Sequence, residues 1–255
     1  MKVLIKIGGT LVDEPRSRQS LAGQLVKTQG HQLSIVHGGG RQLTRFLEAQ
    51  GISSKFVNGL RVTTDVTIDA VVQILAGLVN KRLVAALRAE GANAVGISGI
   101  DGLLTTATQL DPELGWVGKI TAANAALLDL LISAGYIPVV ACVSGDHRGG
   151  VWNVNADQMG AACARAFQAD RLIFLTDVPG VLDAGGKTIS SLTVLAARIL
   201  IETGVAKGGM QAKLEAATSA IEGGVRSITI ASGAEPGIIA RLLAGESLGT
   251  EIRNA

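Results

Sequence analysis

Lys6 interrupts an otherwise apolar run, Val3-Leu4-Ile5-Lys6-Ile7, and Gly8-Gly9-Thr10 follows it. A buried ammonium is costly unless an anion meets it, and paired glycines let a backbone approach a ligand closely. Strand, lysine and bare backbone amides, in that order, outline a phosphate site. A second apolar run, Leu33 to His37, ends in Gly38-Gly39-Gly40. Three successive glycines are costly in chain entropy, which favours backbone contact with a ligand over simple turning. Four more polar side chains are less telling by themselves. Arg61 beside an Asn58-Gly59 turn reads alone as a solvated strand residue. Asn153 and Asp157 read as caps at a helix start, and Lys213 as a surface helix lysine.

The elements that must carry these residues follow from hydrophobic spacing. Leu21, Ala22, Leu25 and Val26 recur at helical intervals, so residues 16–29 are expected as an amphipathic helix capped by Gly30. The second strand and its glycine loop lead into a helix marked by Leu43, Phe46 and Leu47. This is βαβ logic, which implies a parallel sheet covered on both faces. Phe56 to Val62 is expected as a hairpin turning at Asn58-Gly59. A long helix from Asp65 to Ala89 should close at Gly91. A strand at 94–97, a hairpin within 103–120, a helix at 122–133 and a buried strand at 137–143 come next. The turn-rich segment 145–150 then delivers Asn153 and Asp157 to the mouth of a helix reaching about Phe167. The remaining expectations are a strand at 171–175, helices at 194–202 and through Lys213, a strand at 227–230 and a last short strand at 249–252. A lobe boundary is expected near Gln168, with 1–168 and 169–255 as two lobes sharing one continuous sheet.

Composition narrows the function. The 255 residues are 47% hydrophobic and 17% charged, an ordinary globular balance rather than a disordered one. A net charge of +2 with 3% aromatics leaves neither the basic footprint nor the stacking surface of a nucleic-acid binder. Cys142 and Cys163 fit no CxxC pattern and suit buried free thiols in a reducing cytoplasm. His31, His37 and His147 show no metal-ligand spacing. The longest uncharged run, Leu130 to Gly145, contains Gly135 and Pro138 and falls short of a membrane span. No basic, apolar leader opens the chain.

Three familiar motifs nearly fit and fail. His37 to Gly40 matches an esterase oxyanion loop, but at Ser98, the serine that follows the strand at 94–97, the Gly-x-Ser-x-Gly elbow fails: Ile100 stands where the second glycine would be. Gly38 and Gly40 begin a dinucleotide fingerprint, yet Leu43 takes its third glycine position. Gly186-Lys187-Thr188 could end a Walker A loop, but Val181 replaces its first glycine.

Five stretches taken together carry a family resemblance: Lys6 to Gly9, Val36 to Gly40, Asn58 to Thr63, Asn153 to Asp157, and Gly208 to Lys213. In this order they resemble the amino acid kinase family over nearly the whole chain, and within it the members that phosphorylate the side-chain carboxylate of N-acetyl-L-glutamate. The resemblance implies an α/β fold, a three-layer α/β/α sandwich with a mainly parallel central sheet. It implies ATP as phosphoryl donor, with Mg2+ arriving on the nucleotide and no metal cage of the protein's own. By the same resemblance, Lys6 and Lys213 flank the transferring phosphoryl group and Asp157 orients both ammonium groups. Gly39, Gly40, Arg61 and Asn153 would hold the acceptor, Arg61 through the planar fork that suits a carboxylate. Gly8 and Gly9 would lie against the phosphoryl groups. The nucleotide is expected along Asp177, Val178, Pro179, Gly180, Val181 and Leu182, and along Val205, Ala206 and Lys207.

The chemistry agrees with the missing catalytic histidine. A carboxylate acceptor is already ionised at neutral pH, so its attack needs no general base. Positioning and cationic stabilisation are what such a transfer demands. Two departures from the family pattern stand out: Arg41 where proline commonly follows the triple glycine, and Ile100 in place of a lysine. Kinases of aminoadipate derivatives in lysine biosynthesis share Val79 to Leu83 and Ser98 to Gly102 and remain an alternative. A catalytically silent sensor of the same fold is another, though it should have lost Lys6, Lys213 or Asp157. Only Met1 and Lys2 precede the first strand, whereas arginine-inhibited members carry an extra N-terminal helix. The expectation is therefore a homodimer without arginine feedback, joined through the helix near 65–89.

Overall fold

A computed structural model describes residues 1–28 and 30–254. In chain order it forms β1 (Lys2–Ile7), α1 (Gly9–Asp13), α2 (Pro15–Val26), β2 (Gln32–His37), α3 (Gly40–Ala49), β3 (Phe56–Val57) and β4 (Leu60–Arg61). A long helix, Asp65–Ala89, comprises α4 (Asp65–Val71), a π-helical stretch Val72–Val79 and α5 (Asn80–Ala89). Next come β5 (Ala94–Ser98), β6 (Thr105–Gln109), β7 (Gly118–Ala123), α6 (Ala126–Ser133), β8 (Ile137–Ala141), β9 (Val143–Gly145), β10 (Val151–Asn153) and α7 (Ala156–Ala166). The chain ends with β11 (Arg171–Thr176), β12 (Ser191–Thr193), α8 (Val194–Glu202), α9 (Gly208–Glu222), β13 (Ser227–Ser232), α10 (Ile238–Leu243) and β14 (Thr250–Arg253).

Eight strands make one sheet in the order β12-β14-β13-β11-β1-β2-β8-β5. All its pairings are parallel except that of β13 with β14. The reason lies in the strand sequences. β1, β2 and β11 each bury five successive residues, so both faces of the sheet are covered. α2 packs on α5 and α3 on the π stretch, while α7, α8 and α9 form a second packed group. Lys6 shares β1 with four fully buried aliphatic residues, Val3, Leu4, Ile5 and Ile7.

β1 sits between β2 and β11, so the strand order reverses there. Connections after neighbouring strands then leave in opposite directions, opening a crevice at the carboxyl ends. The Gly8-Gly9 turn, the Gly38 to Gly40 loop and the Asp177 loop all emerge at these ends. A smaller sheet, β10-β9-β6-β7, and the β3-β4 hairpin complete the fold. The hairpin turns as expected: Asn58 and Gly59 adopt φ of 50° and 78°, the left-handed values that a two-residue turn needs.

Several boundaries differ from expectation. The first helix ends at Val26, and Gln29 lies outside the described residues. The helix expected from 122 begins at Ala126, because Ala122 and Ala123 pair with β6. The Asn124 side chain accepts the Ala126 N–H and turns the chain there. Sheet pairing overrides the helical preference of alanine. The run 137–143 breaks at Cys142, and Val143 leaves for the smaller sheet. The short elements α1, β12 and α10 had no sequence signal.

By length and composition alone, one helix among the described residues could cross a membrane, and it is Asp65–Ala89 rather than any part of the 130–145 run. Its packing assigns it to the core: Leu83 and Leu87 are fully buried, and Asn80 bonds to His37 and to the Val139 carbonyl.

Candidate active site

Three charged side chains from three elements meet at the crevice. Lys6 of β1 and Asp157 of α7 approach to 2.6 Å between Nζ and Oδ1, and Lys213 of α9 reaches Oδ2 at 3.3 Å. Local sequence explains the convergence. Asn155 caps α7 by accepting the Asp157 and Gln158 N–H groups, which places Asp157 in the first turn, where the helix dipole favours a carboxylate. Gly160, one turn further along, lets α7 approach β1: an added Cβ would lie 3.3 Å from the Lys6 Cβ.

Lys6 and Asp157 are each 5% exposed. Burial alone would raise the Asp157 pKa, but the charges and hydrogen bonds of Lys6 and Lys213 outweigh it and hold the carboxyl below its usual range. One carboxylate faces two ammonium groups, so the centre carries an excess positive charge in a place sheltered from water. Such an excess is unfavourable until an anion arrives.

A cavity of about 170 Å³ is lined by Gly38, Gly39, Gly40, Arg61, Cys142 and Asn153, among others, which brings together the four residues expected at the acceptor. The Gly8 and Gly38 N–H groups continue the sheet by bonding to Leu175 O and Ile7 O. Gly8 therefore offers no free amide, while the N–H groups of Gly9, Gly39 and Gly40 have no carbonyl partner among the described residues. An added Cβ on Gly9 would come within 3.1 Å of the Gly39 N and 3.3 Å of the Gly40 N. The two glycine turns thus abut and pool their amides.

Arg61 is buried and braced rather than loose. Its guanidinium donates to Gly40 O at 3.0 Å, to Thr44 Oγ1 at 2.6 Å and to Ser54 Oγ, and it stacks 4.6 Å from the Phe56 ring centre. Burial lowers its pKa, partly countered by Glu48. These bonds hold the third glycine against the hairpin and still leave other guanidinium donors for a ligand.

The segments expected at the nucleotide follow β11 and precede α9. Asp177, Pro179, Leu182, Val205 and Lys207 are exposed, whereas Val181 and Ala206 point into the core. Gly180 packs on Thr250, whose hydroxyl would lie 2.7 Å from an added Cβ. Neither segment lines the cavity of Gly38 to Gly40, Arg61 and Asn153.

Comparison with known proteins agrees with this geometry. The sequence model of the amino acid kinase family matches residues 1–232. The chain belongs to the amino acid kinase family. It is 56% identical to an acetylglutamate kinase of Solibacter usitatus over the full length of both chains. A second acetylglutamate kinase, from Acidobacterium capsulatum, is 44% identical over 90% of each chain. Among solved structures, an N-acetylglutamate synthase from Neisseria gonorrhoeae, complexed with coenzyme A and N-acetyl-glutamate, superposes with a TM-score of 0.87 at 28% identity. This chain is covered completely but spans only 59% of that longer protein.

Some participants carried no sequence signal. His37 is fully buried, with Nδ1 2.8 Å from Gly38 O and Nε2 3.0 Å from Asn80 Nδ2. Since a carbonyl only accepts, Nδ1 carries the hydrogen and Nε2 receives one from Asn80. Burial pushes the His37 pKa down to about 4, so this imidazole is neutral and braces the glycine loop. Thr63 closes one of the stretches that carry the resemblance, but nothing in the sequence gave it a role of its own. Only an atypical polar residue inside an apolar helix, Asn80, could have flagged the first of these networks.

Proposed function

We propose that this amino acid kinase transfers the γ-phosphoryl group of ATP to the side-chain carboxylate of N-acetyl-L-glutamate, giving N-acetyl-L-glutamyl 5-phosphate and ADP in arginine biosynthesis. The observation that carries the proposal is the sheltered Lys6–Asp157–Lys213 centre, with its excess positive charge beside a cavity of free glycine amides. A carboxylate oxygen attacks the γ-phosphorus, and the bond to the bridging oxygen of ADP breaks. Negative charge crowds as acceptor and donor approach, and fixed ammonium groups on either side relieve it. Asp157 keeps both groups in place.

Arg61 holds the α-carboxylate, Asn153 bonds the acetylated nitrogen, and Gly39 and Gly40 donate their amides to the acceptor. Gly9 offers an amide to the phosphoryl groups, with Gly8 packed beneath it. The exposed residues of 177–182 and 205–207 hold the nucleotide. Residues 1–168 form the acceptor and dimerisation lobe, and 169–255 the nucleotide lobe. The carboxylate at the centre is already held by two lysines and is no free cation ligand, so Mg2+ is carried by the nucleotide phosphates. Cytoplasmic work suits the two cysteines, whose burial pushes their thiols up to about 11 for Cys142 and about 12 for Cys163. Neither is poised to react.

The curated relatives above support N-acetylglutamate as the acceptor, and so does the location of the two departures. Neither Arg41 nor Ile100 lines the acceptor cavity. The test is ATP-dependent formation of a hydroxylamine-trappable acyl phosphate with N-acetylglutamate, glutamate and an aminoadipate derivative supplied in parallel. N-acetylglutamate should give the highest kcat/KM. Preference for the aminoadipate derivative would reassign the substrate, and binding of ATP with no turnover would mean a silent sensor.

A further inference from the structure

Thr63 is fully buried where the β3-β4 hairpin meets α4. Its backbone joins three elements: its N–H bonds to Leu114 O, its carbonyl accepts from the Trp116 N–H, and Trp116 O in turn accepts from the Asn153 N–H. Its side chain is placed with the same economy. The hydroxyl donates to Arg61 O at 2.9 Å and lies 2.9 Å from Asn153 Nδ2.

Counting hydrogens decides how these groups must be oriented. In the hairpin, Val57 faces Leu60 and the Val62 N–H reaches Lys55 O, so the Arg61 carbonyl points away from its partner strand. The Thr63 hydroxyl is what satisfies it. A hydroxyl has one hydrogen, and this one is committed. Towards Asn153 the oxygen can only accept, so the Asn153 amide must present its NH2 end to Thr63. Its Oδ1 then has no protein partner among the described residues, while Asn153 lines the acceptor cavity. An oxygen held there complements a ligand N–H and opposes a ligand ether or ester oxygen.

We infer that Thr63 is a positioning residue that fixes the orientation of the Asn153 amide, and so makes the cavity select an N–H on the acceptor's α-substituent. This rests on the acceptor reading above and adds the device that enforces it. Thr63 touches no substrate. It acts through Asn153, and through Arg61 it ties the group that reads the α-nitrogen to the group that holds the α-carboxylate.

The test compares N-acetyl-L-glutamate with its ester isostere, 2-acetoxyglutarate of the same handedness, in which oxygen replaces the N–H. The wild-type enzyme should prefer the amide by at least about 10-fold in kcat/KM, the usual consequence of an unpaired, opposed acceptor. In Thr63→Val the Asn153 amide is free to rotate, and the preference should fall to about 2-fold or less. The KM for N-acetylglutamate should rise about 10-fold, with kcat and the KM for ATP little changed. Thr63→Ser, which keeps the hydroxyl, should restore the preference; Thr63→Ala serves as the same test should valine not be accommodated. An unchanged preference in the hydroxyl-free variants, or no recovery in Thr63→Ser, would overturn the role of Thr63 while leaving the acceptor intact. Failure of the wild-type enzyme to phosphorylate either compound would overturn the acceptor reading and this inference together.

Discussion

The two lysines of the charged centre differ in what their loss would leave behind. Without Lys6, Asp157 keeps only the longer, 3.3 Å contact with Lys213 and its burial is poorly compensated. Without Lys213, the 2.6 Å pair remains, but under the proposed mechanism the phosphoryl group would lose the ammonium on one flank. Both Lys6→Ala and Lys213→Ala should lower kcat by about 100-fold or more, the scale of losing one preorganised electrostatic donor. Single-turnover phosphorylation measures this directly, and near-normal kcat in either variant would remove that lysine from the reaction. His37 allows a separate test through pH. Its pKa is about 4 in the fold against about 6.5 when unfolded. The unfolded chain therefore binds the proton more readily, and stability is greatest above pH 6.5 and falls towards pH 4. The loss between pH 7.5 and 5 should be about 2 kcal/mol in urea unfolding, and His37→Gln should lack that share of the slope. At this scale the residues themselves exposed Lys6 and the tripled glycine, because lysine in an apolar strand and three successive glycines are costly without a ligand; Arg61, Asp157 and Lys213 stood out only through the family resemblance. The sequence hid what Thr63 and Asn80 do, since a buried threonine or asparagine declares its partners only once distant segments are folded together.

Among the elements, the long helix shows most clearly where sequence pattern stops short. Its ends, Asp65 and Ala89, were legible from apolar spacing and from Gly91, which takes a φ of 91°. The π-helical stretch Val72–Val79 within it was not, because wide-turn packing depends on what the helix must meet. What it meets is the glycine loop. An added Cβ on Gly39 would come within 2.9 Å of Leu75 Cδ2 and 3.1 Å of Val79 Cγ2, so Gly39 is required by packing as well as by its free amide. Gly39→Ala should push the loop from the helix, costing about 1–3 kcal/mol and raising the KM for the acceptor. Leu75→Ala makes room at the same contact. If the buttress is real, the double variant should be at least about 1 kcal/mol more stable than the two single losses added together, a difference that urea denaturation resolves. Strict additivity would mean that helix and loop are energetically separate. α1 and β12 escaped the sequence for a related reason: elements of three to five residues without a turn signal hold through tertiary pairing and carry too few residues for a period.

For the whole molecule, the central sheet leaves one edge to be explained. Among the described residues β5 pairs with β8 on one side only, and the chain just after it exposes Ile100 and Leu103. Leu78 of the π stretch and Leu130 of α6 add further exposed apolar surface, and both elements contact this region of the fold. An unpaired edge strand flanked by apolar side chains invites another chain unless something covers it. A second copy of the same protein, related by a two-fold axis, would cover both edges with one self-complementary contact. The Gly38 to Gly40 loop packs on the helix that carries Leu78, so such a contact would also stiffen the proposed site from behind. The expected solution mass is therefore twice 26.1 kDa by light scattering. Leu78→Asp or Leu103→Asp should shift it to a single chain, because an unpaired carboxylate in an apolar contact is strongly disfavoured. With the edge uncovered, the KM for the acceptor should rise more than that for ATP, since Leu78 lies on the helix that packs against Gly39 while the segments proposed for the nucleotide follow β11 and precede α9. A monomeric wild-type protein, or a dimer unmoved by both substitutions, would place the interface elsewhere or remove it.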